Sequence, residues 1–407
     1  MGAPDRHAGG GMTDALQGRT ALVTGGTGFI GGRLIEILVG QYGMKVRTLV
    51  RGTSTGSGAY RAAAAGASFV TGALTDQAAM RTALEGVDYV FHCAFGSHGD
   101  LAEQRRVTVE GTRTLAAAAG EAGVRHFVNL GTIVSFGADT PAEVDENYAV
   151  RRMWKWPYAI DKRDAEQVIA EEHGRSGLAA TTLRLGVIYG PYGPAFTLYP
   201  LALLKTSRLA LIDGGRGVCA AAYVDDVIQA ILLAAQRPAG PPETFIIKGP
   251  DRVTWRQFYE SYEAMLGVER LVEMSRAEMR GAKGKLMRAA MRAVVGEGLA
   301  ALKASPGFKR AAGALPLVRP AYGMISKRRA GSATDAAPAS AAEARAPDLP
   351  VELIPPMMID YYASTTEYRI DRARAVLGYA PVYDLASGMA LTAQWARWAN
   401  LVPPEKV

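Results

Sequence analysis

The stretch TALVTGGTGFIGGRLIEILVG, running from Thr20 to Gly40, decides how the rest of the chain is read. Its first five residues, Thr20 to Thr24, are apolar or β-branched and end at a glycine pair, as a buried strand does. From Phe29 onward apolar residues recur at helical spacing, so the segment predicts a strand, a glycine turn and a helix from about Phe29 to Gln41. Lys45 to Val50 supplies a second strand and closes a βαβ unit. Between strand and helix lies a GxGxxG pattern, Gly26 to Gly31, directly preceded by Gly25. Glycines there let the backbone turn tightly, admit a pyrophosphate and bring helix against strand, with the helix N-terminus facing the anion. Gly25, Thr27, Gly28, Phe29, Ile30 and Gly31 are therefore the expected contacts of a dinucleotide.

The end of the second strand refines that expectation. An acidic residue there would hold a ribose 2′-hydroxyl, but the position is Arg51. A guanidinium matches a 2′-phosphate, and the following Gly52, Thr53 and Ser54 add donors, so NADP(H) is expected over NAD(H).

Strand-like and helix-like stretches continue to alternate. Further strands are expected at Ser68 to Val70, Tyr89 to Cys93, His126 to Leu130, Thr181 to Leu185 and Phe245 to Lys248, with helices that include Glu103 to Ala122 and Tyr158 to His173. This order predicts an α/β fold: a Rossmann-type doubly wound parallel sheet with a smaller C-terminal substrate-binding domain. Residues 1–17 read as a loose tail, 18–185 as the NADP(H)-binding domain, and 186–267 with 356–401 as the substrate-binding portion. The net charge of +7 is concentrated, because Glu269 to Arg329 holds fourteen Lys or Arg against four Glu. Residues 268–329 therefore read as a basic insertion, and the Ala-, Ser- and Pro-rich residues 330–355 as a linker.

Pro157-Tyr158-Ala159-Ile160-Asp161-Lys162 opens an expected helix, and a spacing of four puts the phenol and the ammonium on one face. A neighbouring cation favours phenolate, which makes Tyr158 a usable acid or base. The pair follows Thr132 by about 26 residues, and Thr132 itself follows the strand His126 to Leu130, at the carboxyl edge where open parallel sheets bind ligands.

With these residues the chain resembles the extended branch of the short-chain dehydrogenase/reductase superfamily, also described as the NAD-dependent epimerase/dehydratase family. The likeness rests on Thr24 to Gly31, Val87 to Ala94, Gly131 to Gly137, Tyr158 to Lys162, Arg184 to Pro191 and Tyr223 to Val227. The resemblance implies that Tyr158 exchanges a proton with the substrate oxygen. It implies that Lys162 holds the nicotinamide ribose and lowers the tyrosine pKa, and that Thr132 hydrogen-bonds the reacting group. It places Leu74, Asp76 and Ala94 beside the dinucleotide, Asp76 near adenine, although Ala73 replaces the usual acid of that motif. Asp225 and Asp226 are expected to tie the substrate domain together. Two departures are Gly131 before Thr132, where the family often has a serine pair, and Thr108, where an asparagine is common.

The substrate follows from what is missing. Nucleotide-sugar members commonly carry an asparagine before the Tyr-Gly-Pro motif and an arginine before the YVDD motif. This chain has Gly186-Val187 and Cys219 to Ala222 instead, an expected apolar lining. Reduction of a ketone or aldehyde on a largely apolar small molecule, or the reverse oxidation, is therefore expected. Arg216 keeps the nucleotide-sugar epimerase or dehydratase reading open, and a catalytically silent NADP(H)-sensing protein is the third. His92 and His126 read as core residues, whereas His98 is the histidine to test.

Residues 276–295 read as a cationic amphipathic helix, either a packing lid or a peripheral membrane contact. A homodimer is compatible with the sequence. With two cysteines far apart, no metal-ligand spacing, no apolar leader and no nucleic-acid module, a cytoplasmic enzyme without metal or nucleic acid is expected.

Overall fold

The computed structural model describes residues 15–52, 56–281 and 349–404. Seven parallel strands form the central sheet: β1 (Thr20–Thr24), β2 (Lys45–Val50), β3 (Ser68–Thr71), β4 (Tyr89–His92), β5 (His126–Thr132), β6 (Ala180–Leu185) and β7 (Glu243–Ile247). Their order across the sheet is β7-β6-β5-β4-β1-β2-β3. The order reverses between β1 and β4, which opens a crevice at their carboxyl ends.

Strand alternation divides the core into two layers. Leu22, Val90 and Phe127 pack with Met80, Leu84 and Leu115 on one face. Their neighbours Ala21, Val23, Phe91 and Val128 pack with Leu34, Ile35 and Leu38 on the other. The helices follow: α1 (Phe29–Gly40) and α4 (Val224–Ala235) cover the second face, while α2 (Gly111–Glu121) and α3 (Pro157–Ser176) cover the first. Because both faces are covered, every residue of β5 is buried.

The smaller C-terminal portion is joined to this sheet by specific bonds. Arg33 of α1 reaches Asp225 with two bonds of 2.7 and 2.9 Å, and Asp226 accepts the backbone N–H groups of Val382 and Tyr383 at 2.9 and 3.1 Å. The YVDD acids thus tie segments together, as the resemblance implied. Trp255 stacks on Tyr362 at 4.0 Å, joining the helix Trp255–Leu266 to the returning chain.

Composition and main-chain pairing divide this region differently. Leu271–Met274, within the basic insertion, and Val351–Glu352, within the expected linker, both pair in parallel with Arg208–Ile212. Charge content carries no information on backbone pairing, which is why these short strands escaped the sequence reading. Residues 282–295 of the cationic helix, most of the linker, Thr53 and Ser54 lie outside the described residues. No helix among the described residues is long and apolar enough to cross a membrane.

Candidate active site

Two turns meet at the crevice. Gly25 has φ +70°, and a Cβ there would lie 2.9 Å from the Ala94 amide nitrogen; at Gly31 it would lie 2.4 Å from the Gly25 carbonyl oxygen. Both approaches are backbone to backbone, so neither relaxes by moving a side chain. Gly28 precedes α1 with extended backbone, and α1 has neither a capping side chain nor an acid in its first turn. The amide groups of Phe29, Ile30 and their neighbours are thereby left for an anion. A glycine cradle of this shape fits the pyrophosphate of a dinucleotide.

The other residues expected at the dinucleotide have contacts of their own. Ala94 closes against Gly25, and Leu74 packs on Gly111. Asp76 is the N-cap of Gln77–Leu84, its Oδ1 accepting from Ala78 and Ala79 at 3.0 and 3.1 Å, so one carboxylate oxygen already serves the fold. Arg51 is exposed beyond β2.

The second group comes from β5 and α3. Pro157 at the first helical position and Gly177 in the left-handed region at the other end bound α3, which sets Tyr158 and Lys162 in its first two turns. The Lys162 ammonium is buried and donates to the Leu130 carbonyl at 2.8 Å. Thr132, two residues along the same strand, acts on the Tyr158 phenol and favours its ionised form. One short segment of β5 therefore holds Lys162 and acts on Tyr158.

Burial, with a smaller opposing effect from Thr132, pushes the Tyr158 phenol up to about 12. The sequence expectation had the lysine lowering it. Here desolvation wins, because Lys162 is itself turned to a backbone carbonyl. Burial brings Lys162 down to about 8, partly offset by Cys93 and Glu166. At neutral pH the site thus holds a protonated phenol beside an ammonium.

Two aromatic residues at this site were not found from the sequence. Phe95 meets the Tyr158 ring edge-on at 5.6 Å and lies 5.4 Å below the Lys162 ammonium. Trp156 flanks the other neighbour position at 5.3 Å from the Tyr158 ring. Phe95 is 43% exposed, so its apolar surface is available beside the phenol. Its signal was its place, the residue after Ala94 at the exit of β4.

Other expectations are relocated. Cys219, Ala220, Ala221 and Ala222 are buried, and Ala221–Tyr223 pairs with Val187–Tyr189, so these small residues build core rather than an open lining. A Cβ at Gly186 would lie 2.1 Å from the Ala220 carbonyl oxygen, which explains the glycine at 186. His92 is buried between Thr24 and Thr112, at 2.7 and 2.9 Å, and is brought to about 3 by burial and Lys162. His126 is likewise in the core, 2.8 Å from Thr181, whereas His98 is exposed beside Ser97. Thr108 sits in a π-helical turn, Arg106–Glu110, where its hydroxyl donates to Gln104 O and accepts from the Gly96 amide at 2.9 Å. That hydroxyl positions the β4 exit loop. Arg216 is exposed.

The model of the family described as NAD dependent epimerase/dehydratase family matches residues 21–247, which spans the glycine cradle, β5, the Tyr158–Lys162 pair and β7. This chain belongs to that family. As an epimerase/dehydratase family member it takes a nicotinamide dinucleotide, and its glycine cradle suits one. Among curated relatives it is 31% identical over 230 residues to a 4-hydroxy-2-methyl-3-oxo-4-farnesyl-3,4-dihydroquinoline-1-oxide ketoreductase of Stigmatella aurantiaca, covering 56% of this chain and 67% of the relative. It is 26% identical over 252 residues to a 3-beta-hydroxysteroid dehydrogenase of Mycolicibacterium neoaurum, covering 58% and 67%. Among solved structures, a UDP-glucose 4-epimerase of Thermotoga maritima shares the fold with a TM-score of 0.63 at 20% identity, over 94% of this chain and 99% of that one.

Proposed function

We propose that this family member reduces a ketone or aldehyde on a largely apolar small molecule, with NADPH preferred over NADH. The observation that carries the reading is the Tyr158 ring flanked by Phe95 and Trp156, its phenol kept protonated by burial against a smaller opposing effect of Thr132. Gly25, Thr27, Gly28, Phe29, Ile30 and Gly31 would hold the pyrophosphate, Arg51 a 2′-phosphate, and Lys162 the nicotinamide ribose. When bound, a reduced nicotinamide supplies hydride to the carbonyl carbon. Thr132 and Tyr158 orient the carbonyl oxygen by hydrogen bonds, and Tyr158 gives that oxygen its proton as negative charge develops. An alkoxide is more basic than a phenolate, so transfer from a phenol raised to about 12 still runs downhill. The Lys162 ammonium stabilises the phenolate left behind.

The aromatic flank suits an apolar body and offers no charge to a diphosphate. The names of the Stigmatella and Mycolicibacterium relatives, a ketoreductase of a farnesylated quinoline oxide and a hydroxysteroid dehydrogenase, support the same substrate class. The test is to follow NADPH absorbance with a panel of aryl, alkyl and steroid ketones alongside UDP-glucose and dTDP-glucose. Net consumption with an apolar ketone is expected. Conversion of a nucleotide sugar without net consumption would overturn the proposal in favour of an epimerase or dehydratase.

Two further outcomes are expected. Turnover falls above about pH 8, as Lys162 loses its proton, and a plateau to pH 10 in a pH–rate profile would contradict that role. Arg51→Asp weakens NADPH roughly tenfold or more while NADH changes much less, as loss of a charge-assisted contact requires. Equal weakening of both, measured by fluorescence titration, would return Arg51 to an ordinary surface role.

A further inference from the structure

Gly131 lies between Leu130, whose carbonyl accepts from Lys162, and Thr132, which acts on the Tyr158 phenol. A Cβ at Gly131 would stand 2.6 Å from Glu166 Oε1, so the space a side chain would fill is occupied by Glu166, one helical turn beyond Lys162. Glu166 is held there by Arg184 of β6 through bonds of 2.7 and 3.1 Å, and the Arg184 guanidinium rests 4.5 Å over the Phe136 ring. Both partners are largely shielded, with side chains 17% and 11% exposed.

The groups around Lys162 make this carboxylate distinctive. From β4 comes His92, brought to about 3, and from the residue after it Cys93, raised to about 12 by burial; both are uncharged at neutral pH. From its own helix come Tyr158, also neutral, and Glu166; beyond Glu166 stands Arg184. Glu166 is the anion of this set. We propose that Glu166, locked by Arg184 over the gap at Gly131, is a positioning residue that keeps Lys162 charged and holds the Leu130–Thr132 segment in register with Tyr158. The inference rests on Lys162 being part of the working site.

A direct readout is an NMR titration of protein labelled with 13Cε-lysine, the Lys162 resonance being assigned by its loss in Lys162→Met. The parent midpoint is expected near pH 8. In Glu166→Gln the midpoint should move about one pH unit lower, since an anion is removed and Arg184 is left unpaired. The double variant Glu166→Gln with Arg184→Gln also removes the unpaired guanidinium and should recover only part of the shift, leaving the midpoint between those of Glu166→Gln and the parent, a graded response to charge that a merely structural contact would not give. An unchanged midpoint in folded Glu166→Gln would overturn the proposal. Should Glu166→Gln fail to fold, Arg184→Gln alone is expected to raise the midpoint, and an unmoved value there overturns it equally. This readout needs no substrate: absence of carbonyl reduction would end the proposed activity while leaving the titration intact, whereas turnover with an immobile midpoint would end only this inference.

Discussion

Replacing Tyr158 with Phe is expected to lower turnover by roughly a hundredfold or more while dinucleotide affinity stays close to that of the parent chain. The substitution removes one oxygen and keeps the ring that packs edge-on against Phe95 and beside Trp156. Packing is therefore preserved, and what disappears is the proton that a new alkoxide takes. Thr132 can still orient a carbonyl, but a threonine hydroxyl is a far weaker acid than a phenol. Steady-state kinetics with the best ketone of the panel, together with NAD(P)H fluorescence titration, separates the two effects. Turnover within a few fold of the parent would show that another group delivers the proton, and the proposed chemistry would fail.

The second large effect is expected at the glycine cradle. Gly31→Ala puts a methyl 2.4 Å from the Gly25 carbonyl oxygen, closer than nonbonded atoms tolerate, and the obstacle is backbone. To relieve it α1 must move away from the turn, and the amides of its first turn move with it. Dinucleotide affinity is expected to drop by roughly a hundredfold or more, on the order of 3 kcal/mol. Gly28→Ala is the useful contrast. Its Cβ would meet the same carbonyl at 3.1 Å, and the residue is exposed, so a smaller loss is expected. Calorimetric titration with circular dichroism as a check on folding measures both. Equal affinity in Gly31→Ala and the parent would mean that the cradle is not where the pyrophosphate rests.

Much of the fold was legible because strand and helix periods differ. The expected strands at Thr20 to Thr24 and Lys45 to Val50 coincide with β1 and β2, and the others agree to within one or two residues at each end. The family was equally legible, since glycine spacing, the Tyr158–Lys162 separation and the YVDD motif are local patterns. The pairing of Leu271–Met274 and Val351–Glu352 with one shared strand was not, because it joins segments far apart in the chain through backbone bonds that leave no mark on composition.

By itself, then, the order of residues determined the doubly wound sheet, the glycine turn and the placing of a phenol four positions before an ammonium, all of which depend on neighbours within a few turns of chain. The tertiary structure alone decided which of the two electrostatic influences on Tyr158 prevails, burial over the cation, and that Lys162 is turned to Leu130 O. It alone placed Phe95 and Trp156 beside the phenol, hid Cys219 to Ala222 in the core, and set Glu166 over Gly131. The physical reason is that desolvation and Coulomb interaction depend on distance and burial in space, and these are set by packing between elements that sequence spacing leaves open.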